Sequence, residues 1–280
     1  MKGHMNVPIF IPHLGCPHDC VFCNQRSITN TLAAPSAESV AVFIEECLVN
    51  TDGREAEIAF FGGSFTGIDK KAQEAYLKAA APFVESGRAC GIRISTRPDT
   101  IDADTLSFLK AHHVKHIELG AQSMSDEVLA KCGRGHTAKD TERASALIRE
   151  SGFVLGLQMM VGLPNSTPQT EADTARAFVR LGAEEARIYP TVVFEDTALY
   201  HMMQSGAYTP ISLEDAVSSS AEALAILEAG GVTVLRVGLQ ETETLGAAIR
   251  GGAYHPAMGE LVRARLWRNR IASKIGTEKK

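Results

Sequence analysis

Val7-Pro8-Ile9-Phe10-Ile11, followed by Gly15-Cys16-Pro17-His18-Asp19-Cys20-Val21-Phe22-Cys23-Asn24, sets a short apolar run directly before a loop with three cysteines. The run reads as a strand, bounded by proline and glycine. The loop reads as chemistry. Three thiolates this close can grip one metal centre, and their softness selects an iron-sulfur cluster, zinc or copper(I) over hard cations. A 4Fe-4S cluster and a structural zinc each want four ligands, so the loop either borrows one or leaves a position open. His13 or His18 would complete a zinc site. A redox pair of Cys20 and Cys23 fits less well with the third cysteine and the glycine-proline setting.

The same pairing of strand and polar loop recurs along the chain. Ile58-Ala59-Phe60-Phe61 leads into Gly62-Gly63-Ser64, and Ile92-Arg93-Ile94-Ser95 into Thr96-Arg97-Pro98-Asp99. His116-Ile117-Glu118-Leu119 leads into Gly120-Ala121-Gln122-Ser123, residues 154–161 into Gly162-Leu163-Pro164-Asn165, and Ala186-Arg187-Ile188-Tyr189 into Pro190-Thr191. Helices fall between them. Val40, Phe43, Ile44, Cys47 and Leu48 recur at helical spacing behind Ser36 as N-cap, and further helices open near Asp69 and Asp102. Thr137 with Asp140 reads as a capping box. Thr167-Pro168 opens a helix that Gly182 closes, and Ser212 with Asp215 opens one that ends at Gly230-Gly231.

Six strand-helix units with continuously apolar strands argue for parallel strands covered by helices. Both an open doubly wound sheet and a barrel satisfy that pattern. The polar residues decide for the barrel, because they follow the strands and would ring the one face where βα barrels do chemistry. Gly62 to Gly67 lacks the dinucleotide glycine spacing, and no glycine-lysine-serine/threonine phosphate loop occurs.

Composition sets wide bounds. The chain has 280 residues, 45% apolar and 22% charged, which suits one large α/β domain. Residues 1–14 are too short and too rich in His and Pro for a signal peptide, so a cytoplasmic protein is expected and its six cysteines are read as thiols and ligands. A net charge of -5 gives no global attraction to nucleic acid, so such a partner needs a local basic patch.

The cysteine spacing, with Phe22 just before the last cysteine, resembles the signature of the radical S-adenosylmethionine (SAM) enzymes. Residues 9–24, Phe60 to Thr66, Ile94 to Asp99 and Arg187 to Thr191 are similar to the radical domain of the Elongator catalytic subunit and its bacterial relatives. Glu118 to Ser123, Asp126 to Leu129 and Gly133 to Thr137 are similar both to that family and to oxygen-independent coproporphyrinogen oxidases. The resemblance implies an α/β fold, a partial (βα)6 TIM-like barrel over residues 1–240 with a short C-terminal extension over 241–280.

It also implies roles. Cys16, Cys20 and Cys23 would hold three irons of a 4Fe-4S cluster, the fourth being chelated by SAM, and Phe22 would pack on the adenine. Gly62, Gly63 and Ser64 match the motif at the methionine end of SAM, and Gln122 and Arg134 match positions that touch its ribose and carboxylate. Gln158 and Ser95 stand where the porphyrinogen enzymes carry acids; for both, a buried polar residue satisfied by backbone is the competing reading. Cys47, Cys90 and Cys132 read as small core hydrophobes, and His112, His113 and His116 as a solvated helix end. Glu118 and Tyr189 carry no assigned role.

The implied activity is reductive cleavage of SAM to a 5'-deoxyadenosyl radical, with flavodoxin or ferredoxin as electron donor, in modification of the tRNA wobble uridine. About 40 residues follow Gln240, against roughly 100 or more for a separate domain, so no acetyltransferase domain is expected and the chain reads as truncated. A radical enzyme acting on a small metabolite or tetrapyrrole, and a non-enzymatic iron-sulfur or zinc module, are the alternatives. Arg263, Arg265, Arg268, Arg270, Lys274 and Lys279 around Trp267 would hold tRNA phosphates, or form a solvated terminal helix.

Overall fold

The computed structural model describes residues 4–11, 14–24, 34–240 and 246–278, with side chains through 275. Strand and helix alternate as β1 (His4–Ile11), α1 (Ala37–Val49), β2 (Glu55–Gly62), α2 (Lys70–Glu85), β3 (Ile92–Thr96), α3 (Ala103–Ala111) and β4 (Val114–Gln122). Then come α4 (Asp126–Lys131), α5 (Ala138–Glu150), β5 (Val154–Val161), α6 (Pro168–Arg180), β6 (Glu185–Pro190) and β7 (Val192–Phe194). The last are α7 (Ala198–Gln204), α8 (Leu213–Ala229), β8 (Thr233–Val237), β9 (Ile249–Gly252) and α9 (Met258–Glu278). One seven-stranded sheet runs β1-β2-β3-β4-β5-β6-β8, and β7 pairs with β9 in a separate ribbon. No helix among the described residues is long and apolar enough to cross a membrane.

Local chemistry explains the boundaries. Ser36, Asp69, Asp102, Thr167 and Ser212 each accept a hydrogen bond from a first-turn backbone N–H of the helix they precede, which satisfies a donor that has no partner within the helix. Thr167 and Thr170 form a full capping box ahead of Pro168. Gly182 and Gly231, with φ of 72° and 79°, follow the helix ends in the left-handed region that favours glycine. The first N–H of α5, on Ala138, donates to Asp126 Oδ1 at 2.7 Å.

By residue contacts the chain forms two compact units, Met1–His18 with Gln25–Gly120 and Lys139–Gly156, and Asp19–Asn24 with Ala121–Ala138 and Leu157–Lys280. In the first, parallel register pairs Val7 with Ile58 and Ile9 with Phe60, and Ile58 and Phe60 with Ile92 and Ile94. These side chains are buried, as are Ile44, Leu77 and Leu109 on the helices. Each such burial contributes about 1.5–3 kcal/mol. The opposite sheet face carries charge. Arg93 donates from Nε to Glu57 Oε2 at 2.7 Å and from Nη1 to Glu118 Oε1 at 2.8 Å, all three being at most 4% exposed. His116 Nδ1 lies against Glu57 Oε1. His116 is therefore not part of a solvated helix end; it is a strand residue of β4 whose period-two neighbour is Glu118, and both point toward this network.

The second unit adds a strand to the six expected. Thr233–Val237 runs parallel to β6, with Ala186 opposite Val234. Its half-exposed residues lack the continuous apolar run of a central strand, as suits a sheet edge. Behind it, α6, α8 and α9 bury Phe178, Leu224, Leu227, Val262 and Leu266.

Candidate functional site

In the first unit the turn after β2 locks onto the start of the cysteine loop. Gly63 N donates to Ile11 O and Ser64 N to Leu14 O, both at 2.8 Å. The fit leaves no room for side chains. A Cβ at Gly63 would stand 2.0 Å from Leu14 O, one at Gly15 2.1 Å from Ser64 O, and one at Gly67 2.1 Å from Gly15 O. Gly62 adds a φ of 106°, which L residues rarely adopt. Ser64 is wholly buried, its hydroxyl 2.9 Å from Thr96 Oγ1, and Thr66 and Thr100 extend the same hydroxyl chain. Ser64 thus spends its N–H and its side chain on holding two loops together. Ser95 is half-buried on β3, opposite Glu118 in register.

Gly63→Ala is expected to displace the backbone before Cys16 and to cut iron loading several-fold, with a clear loss of melting temperature. Iron content and thermal unfolding of the purified variant check this. Full loading at wild-type stability would show that the turn tolerates a methyl group.

In the second unit the remaining loop residues are tied down from three directions. Val21 N donates to Cys132 O at 3.1 Å, Val21 O accepts from Leu199 N at 2.8 Å, and Asn24 Nδ2 donates to Glu195 O at 3.2 Å. Cys23 N donates to Cys20 O at 3.0 Å, closing the turn between the last two cysteines. Phe22 is half-buried and packs with Val21 and Met160 on a core of Val128, Cys132 and Leu163. Burial pushes the Cys132 thiol up to about 12, so it stays a neutral packing group. Arg134, 7% exposed, donates from Nη1 to Cys20 Sγ at 3.1 Å. Gln158 Nε2 donates to Gln122 Oε1 at 3.2 Å. Gln122 is held at a φ of 67°, an uncommon value for a non-glycine residue that marks backbone kept there by its surroundings.

The loop after β5 is braced too. Glu171 Oε1 accepts from Gly162 N at 2.6 Å and Ser166 Oγ at 2.8 Å, and Tyr208 donates its hydroxyl to Gly162 O at 2.7 Å. Nothing in the sequence spacing signalled Leu199 or Tyr208, because each acts across a long stretch of chain, on Val21 and Gly162.

The donor set suits an iron-sulfur cluster. None of the six cysteines is in a disulfide, and Cys16, Cys20 and Cys23 are each half-buried. Among the described residues no three His, Cys, Asp or Glu side chains are gathered closely enough to hold a single metal ion. A cubane takes each thiolate on a different iron, so it does not need them on one point. His18 is exposed, which does not favour it as a fourth zinc ligand, and His13 lies outside the described residues.

Comparison with known proteins fits this assignment. The radical SAM superfamily profile matches residues 10–178 and the radical SAM C-terminal domain matches 183–268, so the chain belongs to the radical SAM superfamily and is an enzyme of that class. The family uses a 4Fe-4S cluster and SAM. More narrowly, it is similar to the tRNA uridine(34) acetyltransferase of Dehalococcoides mccartyi, 25% identical over 245 residues that cover 75% of this chain and 53% of that protein. It is also 26% identical over 201 residues to the heme chaperone HemW of Bacillus subtilis, covering 68% of this chain and 52% of that one. The archaeal Methanocaldococcus infernus Elp3 structure superposes with a TM-score of 0.76 at 22% identity, over 96% of this chain and 64% of that one, and so shows the fold, the partial barrel of this superfamily. The chain thus spans about half the length of the curated relatives named here.

Proposed function

We propose that this radical SAM enzyme takes part in modifying the wobble uridine of tRNA in the cytoplasm. The observation that carries the reading is the similarity over 245 residues to a tRNA uridine(34) acetyltransferase. Residues 1–240 serve as the radical barrel and 241–280 as its extension. Cys16, Cys20 and Cys23 bind the cluster, Phe22 covers the adenine, and Gln122 and Gln158 face the ribose side as one hydrogen-bonded pair. Gly62 and Gly63 keep the backbone near the methionine end bare of side chains, and Ser64 and Ser95 line or brace that wall. When bound, the reduced cluster and SAM supply a 5'-deoxyadenosyl radical, with flavodoxin or ferredoxin delivering the electron. The protein's own work is to orient the cofactor and keep water from the radical. Liquid chromatography with mass spectrometry of nucleosides in tRNA from cells with and without the gene tests the reading. Identical wobble-uridine profiles would remove it and favour a tetrapyrrole-linked role, which the similarity to HemW supports.

The RNA contact assigned to α9 is narrower than its composition suggests. Arg265 bonds Glu214 and Ser218 and its side chain is 12% exposed, while Arg270 donates to Glu228 Oε2 at 2.9 Å and stacks over Trp267 at 5.5 Å. Arg263 also leans on Glu228, at 3.7 Å. Arg268 is exposed and makes no ion pair among the described residues; Lys279 lies outside them. Arg268→Ala is expected to flatten the logarithmic salt dependence of tRNA affinity by roughly 0.7–0.9. Adding Arg265→Ala and Arg270→Ala should change it by less than one further unit, because those charges are already countered. An unchanged slope in the triple variant takes α9 out of the RNA interface.

A further inference from the structure

We infer that Arg134 sets the redox poise of the cluster by donating a charged hydrogen bond to the Cys20 thiolate. This rests on the reading that the cysteine loop carries a 4Fe-4S cluster. Arg134 is thereby a positioning and tuning residue acting through Cys20, distinct from the role of carboxylate clamp for SAM that the family resemblance implies.

The geometry is built rather than incidental. Arg134 N donates to Leu129 O at 3.0 Å, which fixes the residue one turn past α4, and Gly133 and Gly135 flank it with φ of 64° and 71°. The Cys132 carbonyl, two residues before Arg134, accepts from Val21 N, one residue after Cys20, so the turn that carries the guanidinium and the loop that carries the sulfur are joined by backbone close to both. The pair is therefore held in register by the main chain. It does not depend on the free swing of a long side chain. Cys20 and Arg134 are 114 residues apart in sequence, and the contact is 3.1 Å.

The consequence follows from charge. An arginine in a protein does not lose its proton, so it places a fixed positive charge at the ligand sulfur. Reduction takes one electron from the external donor into the cluster and its thiolates, with no bond made or broken in that step. The added negative charge is favoured by a nearby cation and by a hydrogen bond to sulfur, two of the levers that set cluster potentials. With Arg134 only 7% exposed, water screens little of this effect.

Anaerobically reconstituted protein without SAM, poised at a series of fixed potentials and read by electron paramagnetic resonance, tests the inference. In Arg134→Gln the ratio of reduced to oxidised cluster at a given potential should fall about tenfold, equivalent to about 59 mV for one electron. Arg134→Lys, which keeps the charge, should recover part of the shift. In unsubstituted protein carrying 15N-labelled arginine, the reduced cluster should show a nitrogen hyperfine coupling, a measurement that stands even where a variant fails to fold. An unshifted potential in a fully loaded Arg134→Gln protein overturns the inference, as does absence of the nitrogen coupling. Loss of SAM affinity alone, with the potential unchanged, overturns it too and returns Arg134 to the SAM carboxylate. A wild-type chain that loads no iron overturns the cluster reading itself, and this inference with it.

Discussion

Cys20→Ala is expected to lower reconstituted iron from about four per chain to background and to abolish 5'-deoxyadenosine formation. In the proposed ligand set the substitution removes one of the three thiolates that would hold the cluster, and it leaves the Arg134 guanidinium facing a methyl group. The contrast lies with the other three cysteines. Cys47 and Cys90 are half-buried, with thiols that burial pushes above their ordinary range, and Cys132 is a buried thiol in an apolar cluster. Replacing Cys47, Cys90 and Cys132 together by Ala should keep the iron and the SAM cleavage. It should lower stability modestly, because removing the Cys132 sulfur leaves a small void behind the loop. Iron analysis and product chromatography read both proteins. A triple variant that loses its iron would mean that the ligand set has been misassigned.

Arg93→Met is expected to destabilise the protein by about 3–5 kcal/mol, a large share of the roughly 5–15 kcal/mol typical of a folded domain. Arg93 is 2% exposed and is bonded to both Glu57 and Glu118, so its removal takes the guanidinium away from two buried carboxylates. The effect has a defined pH dependence. Burial raises the Glu57 pKa, but His116 and Arg93 together outweigh it and hold the carboxyl below its ordinary value of 4.5. A folded-state pKa below the unfolded one contributes stability that is fully present above about pH 4.5 and is lost as the pH falls through the lowered value. In the variant, burial acts on Glu57 with less opposition and its pKa rises. The gap between wild type and variant should therefore be widest near neutral pH and shrink in acid. Urea unfolding across pH 4 to 7, a range chosen around that value, measures it. A gap under about 1 kcal/mol at neutral pH, the scale of an exposed pair, would show that the carboxylates find other partners.

Much of the architecture was open to inspection in the chain because its causes are local. The strand-helix alternation follows from apolar runs and helical spacing, and the five caps at Ser36, Asp69, Asp102, Thr167 and Ser212 are contacts over two or three residues. β8 lies at the sheet edge, where a strand need not be apolar on both faces, so its residues carry only a weak strand pattern. The spacing of the cysteine loop marks it as a soft-metal candidate, since few residue types ligate soft metals, and it was Phe22 and the later motifs that pointed to a cluster over zinc.

What the linear pattern could not show is where each polar side chain spends its hydrogen bonds. His116 looked like a helix-end residue until β4 placed it on Glu57. The contact of the Ser64 hydroxyl with Thr96, 32 positions on, has no trace in the spacing. Arg265 and Arg270 looked like free cations and are paired with Glu214 and Glu228. The sequence by itself determined the order of elements, the helix starts and the candidate ligands, all of which depend on neighbours a few positions away. Only the tertiary structure decided which charges are countered, which glycines have no room for a methyl group, and which arginine meets Cys20, because these depend on groups brought together from up to 114 residues apart.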